Sequence, residues 1–332
     1  MCCRPHDCKR FCMGDRIKRN VGVELYRCLL MLLICVYHAN VHSAHSVETW
    51  LGHLLSMGVV GFAFISGWYG VSFSLVRIAR LYGLGIFGAI VSALCCCEGG
   101  QWVKIALDNF RSYWFLHAYV IMMSFAPCIE IALETADRLT AVKRLSPILV
   151  MTFVWPFAGE VRYLRDFVPI SKGLTQLSGY TLIGIYAAAR LARLYEKELQ
   201  HIRHWPIVSL CFGVVVCAGH FGFYQSPFAF CLALTWFMIF KRMTLPSGIS
   251  RCVLVLAPSM FSVYLLHTNK LGLKMLSECD NMIHEVCGLN GLSIMAAGCV
   301  IYLGCIGVDM LRRGCVACVR ILFLRARTFA MN

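Results

Sequence analysis

The chain has 332 residues, 59% of them apolar and only 14% charged, with a mean hydropathy of +0.69. A soluble domain carries roughly a quarter charged residues, so composition excludes that class and points to apolar runs of bilayer length. The net charge of +14 would suggest nucleic acid in a soluble protein, but here the basic residues concentrate in alternate connections, as in cytoplasmic loops; the expected partner is the lipid bilayer, with no nucleic acid.

In chain order, residues 1–20 (MCCRPHDCKRFCMGDRIKRN) read as a basic, Cys-rich cytoplasmic segment. They are not expected to be a signal peptide, because the apolar run that follows is too long and has no small-residue cleavage site. Apolar segments then run at about 21–40, 51–73, 78–97, 112–131, 145–158, 174–192, 205–224, 227–240, 254–276 and 290–311. Segments 145–158 and 227–240 are short for a full span, yet dropping either inverts the charge bias of every later loop. With ten spans the inner connections hold Arg16, Lys18, Arg19, Arg77, Arg80, Arg138, Lys143, Arg144, Arg190, Arg193, Lys197, Arg203, Lys241, Arg242 and Arg251. The outer ones hold Lys104, Arg111, Arg162, Arg165, Lys172, Lys270 and Lys274. The expected fold is therefore an all-α integral membrane protein. It is a single bundle of about ten transmembrane helices with both termini cytoplasmic, a membrane domain over 21–312 and a basic tail over 313–332. The longest outer loops, 159–173 and 277–289, are too short to be domains, and no internal repeat is visible.

The twenty cysteines are spread through the apolar segments, which is not the framework of a small secreted fold. Cys2, Cys3, Cys8 and Cys12 with His6, and Cys315-x-x-Cys318, could meet on the cytoplasmic side. Their irregular spacing is not a zinc motif, and no metal is expected. Cys279 and Cys287 share an expected outer loop, where pairing is open.

Ionisable residues at membrane depth face the bundle interior or a cavity and suggest function by default. The first segment holds Glu24, Arg27 and His38. Eleven residues separate Arg27 from His38, so both point the same way, roughly 16 Å apart along a helix. Glu24 stands one turn before Arg27 and can pair with it. The bland alternative makes Glu24 and Arg27 an interfacial anchor and His38 a satisfied core residue. After the second segment, Arg77 and Arg80 share a helix face. Two guanidinium forks there suit phosphate, although a positive-inside stop explains them as well. His267 on the ninth segment, Trp114 and His117 at the start of the fourth, and Arg162 and Arg165 on an outer loop are further candidates to meet a substrate. A core hydrogen bond, an aromatic belt and solvated loop charges are the ordinary readings of these three groups.

The combination of RCLLMLLICVYH at 27–38, GVVGFAFISGWYG at 58–70 and RIAR at 77–80 resembles the acyltransferase-3 family of membrane O-acyltransferases. RSYWFLHAYVIMMSFAPCIE at 111–130 and LRDFVPISKGLTQLSGYTLIGIYAAARL at 164–191 resemble the branch found in bacterial polysaccharide acetyltransferases. SMFSVYLLHTN at 259–269 resembles the family's ninth-helix motif. Departures are the Cys-rich start, Glu130 where that branch more usually has an amide, and Thr268 in place of a proline-like residue. The resemblance implies transfer of an acyl group, usually acetyl from acetyl-CoA, to a glycan hydroxyl at the outer face of a bacterial cytoplasmic membrane. It gives His38 and Arg27 catalytic roles, and Arg77 and Arg80 the CoA phosphates. Physical chemistry agrees: histidine suits a general base near neutral pH or a transient carrier of the acyl group, and an anionic cytosolic donor calls for cations at the inner mouth, with Glu24 orienting Arg27. The competing class is a non-catalytic transporter or flippase for a glycan or small anion; the absence of a visible repeat counts against it.

Overall fold

The computed structural model describes residues 19–47, 49–96, 100–156, 178–219 and 224–329. Every regular element among them is helical, as expected of backbone that must satisfy its own hydrogen bonds in lipid. Helix α1 (Val21–His42) starts where the Asn20 side chain accepts from the Val23 N–H at 3.1 Å, and Glu24 lies in its first turn. Asn20 also donates to the Lys241 carbonyl at 2.9 Å, which anchors the start of α1 to a distant helix end.

The second segment is two helices, α2 (Thr49–Leu55) and α3 (Met57–Tyr69), followed by α4 (Leu75–Cys96), the amphipathic α5 (Trp102–Ser112) and α6 (Trp114–Glu134). Next come α7 (Arg138–Leu149), which runs into a π-helical turn (Val150–Val154), α8 (Ser178–Leu194), the short α9 (Glu196–His201), α10 (Trp205–Ala218) and α11 (Pro227–Lys241). Helix α12 (Ser247–Leu256) passes through a 3₁₀ turn (Ala257–Ser259) into α13 (Met260–His267), and α14 (Lys270–Cys287) and α15 (Asn290–Phe329) complete the chain.

Where the ten apolar segments lie among the described residues, they fall mostly on helix. Among the described residues, six stretches are long and apolar enough to cross a membrane: Val21–His42, Leu51–Tyr69, Leu75–Cys96, Trp114–Glu134, Ser247–His267 and Asn290–Val319. The chain is thus an all-α membrane protein. Trp205–Ala218 and Pro227–Lys241 are apolar but shorter.

Two expectations are corrected. The ninth segment does not run through 254–276: helix stops at His267, and Asn269 caps a new one, accepting from the Gly272 N–H at 2.8 Å. The outer loop expected at 277–289 is therefore mostly α14. Cys279 and Cys287 lie two turns apart on this one helix and are both free, too far apart along its axis to bridge. Cys315 and Cys318 are exposed free thiols on α15, which continues as helix past residue 312. The N-terminal cysteines and loop 159–173 lie outside the described residues.

Helix α1 is the hub. It packs against α3, α11, α13, α14 and α15, with Leu30, Cys35 and Ala39 fully buried. Close approach of α3 depends on glycine. A Cβ on Gly58 would stand 2.7 Å from the Leu30 carbonyl oxygen, and one on Gly61 would stand 2.6 Å from the Leu30 methyls. Gly304 on α15, by contrast, has open space around its Cα. Gly58→Val should therefore lower the thermal midpoint of the detergent-solubilised protein by an amount equivalent to about 1–3 kcal/mol of overpacking. Gly304→Val should leave it within about 0.5 kcal/mol; equal effects would show that α1 and α3 are not in van der Waals contact here.

Candidate active site

A cavity of about 360 Å³ lies along α1. Arg19, Glu24 and Arg27 line it near the helix start. Its middle is apolar, walled by Met31, Ile34, Val59, Phe62, Met260 and Phe261. Tyr37 and His38 line it near the helix end, where Trp114 and Tyr224 also contribute and stack on each other with centroids 5.7 Å apart. The eleven-residue spacing read from the sequence thus places Arg27 and His38 along the same cavity.

Arg27 Nη1 lies 3.5 Å from Glu24 Oε1, a loose pair between a largely buried carboxylate and a half-exposed guanidinium. His38 makes the sharper contact: its Nδ1 is 2.9 Å from His267 Nε2. His267 is fully buried, and its own Nδ1 is 2.7 Å from the Val263 carbonyl. A carbonyl only accepts, so His267 Nδ1 carries a proton, and in the neutral ring Nε2 is the acceptor. His38 Nδ1–H therefore donates, which leaves Nε2 as the basic atom of a ring that lines the cavity. The local sequence sets this up. Helix α13 ends at His267, where the Thr268 hydroxyl donates to the Tyr264 carbonyl at 2.7 Å, and Tyr264 accepts from the Phe115 N–H at 3.1 Å.

The other expected residues divide. Trp114 lines the cavity. His117 does not: its Nε2 donates to the Phe110 carbonyl at 3.1 Å, and its ring packs edge-on against Phe110 and beside Tyr82. His267 stands behind His38 rather than among the lining residues, so its place is that of a partner to the base. Arg77 and Arg80 are exposed on the first turns of α4, outside the lining, although Leu81 on the same helix belongs to it. Arg162 and Arg165 lie outside the described residues. Tyr37, Tyr224 and Tyr264 are lining groups that sequence reasoning did not single out for chemistry, and the Ser66–Tyr119 hydroxyl pair (3.4 Å) lines the cavity with them. The signal in reach was Tyr264, one turn before His267. Among the described residues, no group of three His, Cys, Asp or Glu side chains is placed to hold a metal.

Fold and site together define an all-α membrane protein with a hydrogen-bonded histidine pair at an internal cavity. The chain belongs to the acyltransferase-3 family: the family's model, described as an acyltransferase domain, matches residues 20–307. That range includes every cavity-lining residue except Arg19. No match was found among curated proteins or among solved structures. The protein is a membrane acyltransferase.

Because His267 fixes which nitrogen of His38 is basic, His267→Ala should lower the transfer rate by about 10²-fold without removing donor binding. Turnover and acyl-CoA affinity measured on the same preparation check this. An unchanged rate would mean that His38 acts without its partner.

Proposed function

We propose that the protein moves an acyl group, acetyl foremost, from acyl-CoA on the cytoplasmic side of a bacterial cell membrane to a hydroxyl of a surface polysaccharide or related glycan. The observation that carries this reading is the single cavity, with a cationic group at one end and a histidine with a free basic nitrogen towards the other. Its volume falls in the usual range for ligand pockets, about 300–1,000 Å³.

Acetyl-CoA serves as co-substrate. Its phosphates are assigned to Arg77 and Arg80, which have no ion-pair partner among the described residues and whose planar forks suit phosphate. The thioester arm passes Arg27, which Glu24 orients, and runs through the apolar middle of the cavity towards His38. His38 Nε2 takes the proton of the acceptor hydroxyl as its oxygen attacks the thioester carbonyl. The C–S bond then breaks, and the proton on His38 passes to the departing sulfur, giving the O-acyl ester and free CoA. Trp114 and Tyr224 stand at the same end of the cavity as His38, where aromatic faces suit an acceptor with apolar and hydroxyl edges.

His38→Ala should reduce acetyl transfer by about 10²–10⁴-fold in a protein that still inserts and binds acetyl-CoA. Full activity in that variant would end the mechanism. Arg77→Ala combined with Arg80→Ala should weaken acetyl-CoA binding by about tenfold or more at low salt, where charge-assisted contacts count most; unchanged affinity would reduce the two residues to topology signals. For the acceptor, deleting the gene and weighing the surface glycans should show loss of the acetyl increment. Glycans of unchanged mass would point to another acceptor.

A further inference from the structure

A second ionic centre lies one helix layer away from the cavity. The Asp309 carboxylate on α15 is fully enclosed, with Arg312 Nε and Nη2 donating to its Oδ1 at 3.0 and 2.7 Å. Arg313 Nε stands 3.0 Å from its Oδ2. Ser262 borders the same small cavity as Asp309. Arg313 Nη2 also donates to Ser259 Oγ at 2.9 Å and to the Val255 carbonyl at 3.4 Å. Val255 and Ser259 flank the Ala257–Ser259 break between α12 and α13, where Pro258 has no N–H to offer, so Arg313 ties α15 to both sides of the break.

The two faces of this broken helix divide the work. Ser259 meets Arg313 and Ser262 borders the small cavity beside Asp309, while Ala257, Pro258, Met260, Phe261 and Tyr264 line the main cavity and His267 meets His38. On a helix each residue step is a rotation of about 100°, so slippage of α13 by one position would turn His267 away from its partner. Burying a charge network gives little net stability compared with apolar packing. What it supplies is direction: Arg313, held by Asp309 on its own helix and bonded to Ser259 and Val255 across the break, permits few rotations of α13 against α15.

We infer that Asp309, with Arg312 and Arg313, is a positioning centre that sets the rotation of α13 and thereby holds His267 on His38. The activity arm of its test rests on His38 being the transfer base; the structural arm does not.

The test is a double-mutant cycle on the full-length protein in nanodiscs, with acetyl-CoA as donor. Asp309→Asn should lower kcat by on the order of a hundredfold while the KM for acetyl-CoA stays within about twofold. In a His267→Ala background the same substitution should cause less than about a twofold further loss, because its effect runs through the residue already removed. If Asp309→Asn does not insert, Ser259→Ala with Ser262→Ala, which leaves the ion pairs in place, runs the same cycle. Nitrogen-15 spectra of the histidines, assigned by His38→Gln, report the other arm. His38 should be protonated at Nδ1 in the native protein and a tautomer mixture in the Asp309 variant. Losses that multiply independently of His267, a KM that rises with the fall in kcat, or an unchanged His38 tautomer would each overturn the inference. Should His38→Ala retain activity, the base assignment fails, and the tautomer measurement still decides whether Asp309 positions the pair.

Discussion

The hydrogen bond between His38 and His267 joins residues 229 positions apart, and its direction is set by a third group, the Val263 carbonyl. That chain of donors makes one nitrogen basic and no other. It requires α1 and the broken α12–α13 helix to hold a fixed distance and rotation. The surrounding bundle supplies both. Glycines on α3 let α1 be gripped from one side, and α15 grips α1 and α13 together from the other, with the Tyr302 hydroxyl donating to the Cys28 carbonyl at 3.2 Å. In an apolar solvent, where hydrophobic exclusion does not drive helices together, close packing and hydrogen bonds of this kind are what specify an arrangement.

Several charges held inside the helical bundle are paired, and their geometry separates tight clusters from loose contacts. Glu130 is tightly satisfied: Arg190 donates to it at 2.6 Å and Tyr186 at 2.7 Å. Arg190 and Arg193 also reach the Trp68 carbonyl, at 3.4 and 2.6 Å. That cluster ties down the carbonyl end of α3, where cations are favoured, and Gly70 turns the chain beside it with φ of 78°. Lys241 is similarly occupied, paired with Glu196 and placed over the Trp68 ring at 4.8 Å. Arg27 differs. Its one ionic contact among the described residues is longer, and the guanidinium opens into the cavity with donors to spare. By this comparison it is the cation left to serve the proposed transfer, while the tighter clusters hold helix ends.

What the sequence made legible follows from what periodicity can report. Within one helix, spacing predicts shared faces, so the alignment of Glu24, Arg27 and His38 was readable, and the apolar runs located the helices. Contacts between helices leave no such trace. His267 could be seen as a buried polar residue but not as the partner of His38. Tyr224 gave no sign that it would stack on Trp114. The second half of α14 was read as loop because Glu278, Asp280 and Glu285 dilute its hydropathy. Its packing instead runs through a narrow set of positions, with Leu276 buried and Asp280 bonded to Ser43 and Ser293. Arg312 and Arg313 look like ordinary positive-inside residues by count; only their place beside Asp309 shows another use. The missed signal there was available, since a carboxylate inside the last apolar segment calls for an explanation by default.

The apolar middle of the cavity gives the arrangement its chemical sense. An acyl thioester is also open to attack by water, and a base able to activate a hydroxyl would activate water equally well. Between the charged end and His38 the side chains of Met31, Ile34, Val59, Phe62, Met260 and Phe261 line the cavity and offer water no strong hydrogen bond, although the hydroxyls of Ser66, Tyr119 and Tyr264 belong to the same lining. Expelling water from a site of this kind suppresses the competing hydrolysis and strengthens the polar contacts that remain. The histidine pair fits that demand, because its partner is another neutral ring and a backbone carbonyl rather than a carboxylate that would draw solvent inward. With Arg27 and His38 on a single unbroken helix, the distance from cation to base is set by helical rise alone. In the proposed mechanism an arm held at one end presents its reactive carbon at a fixed depth, beyond the apolar segment and beside His38.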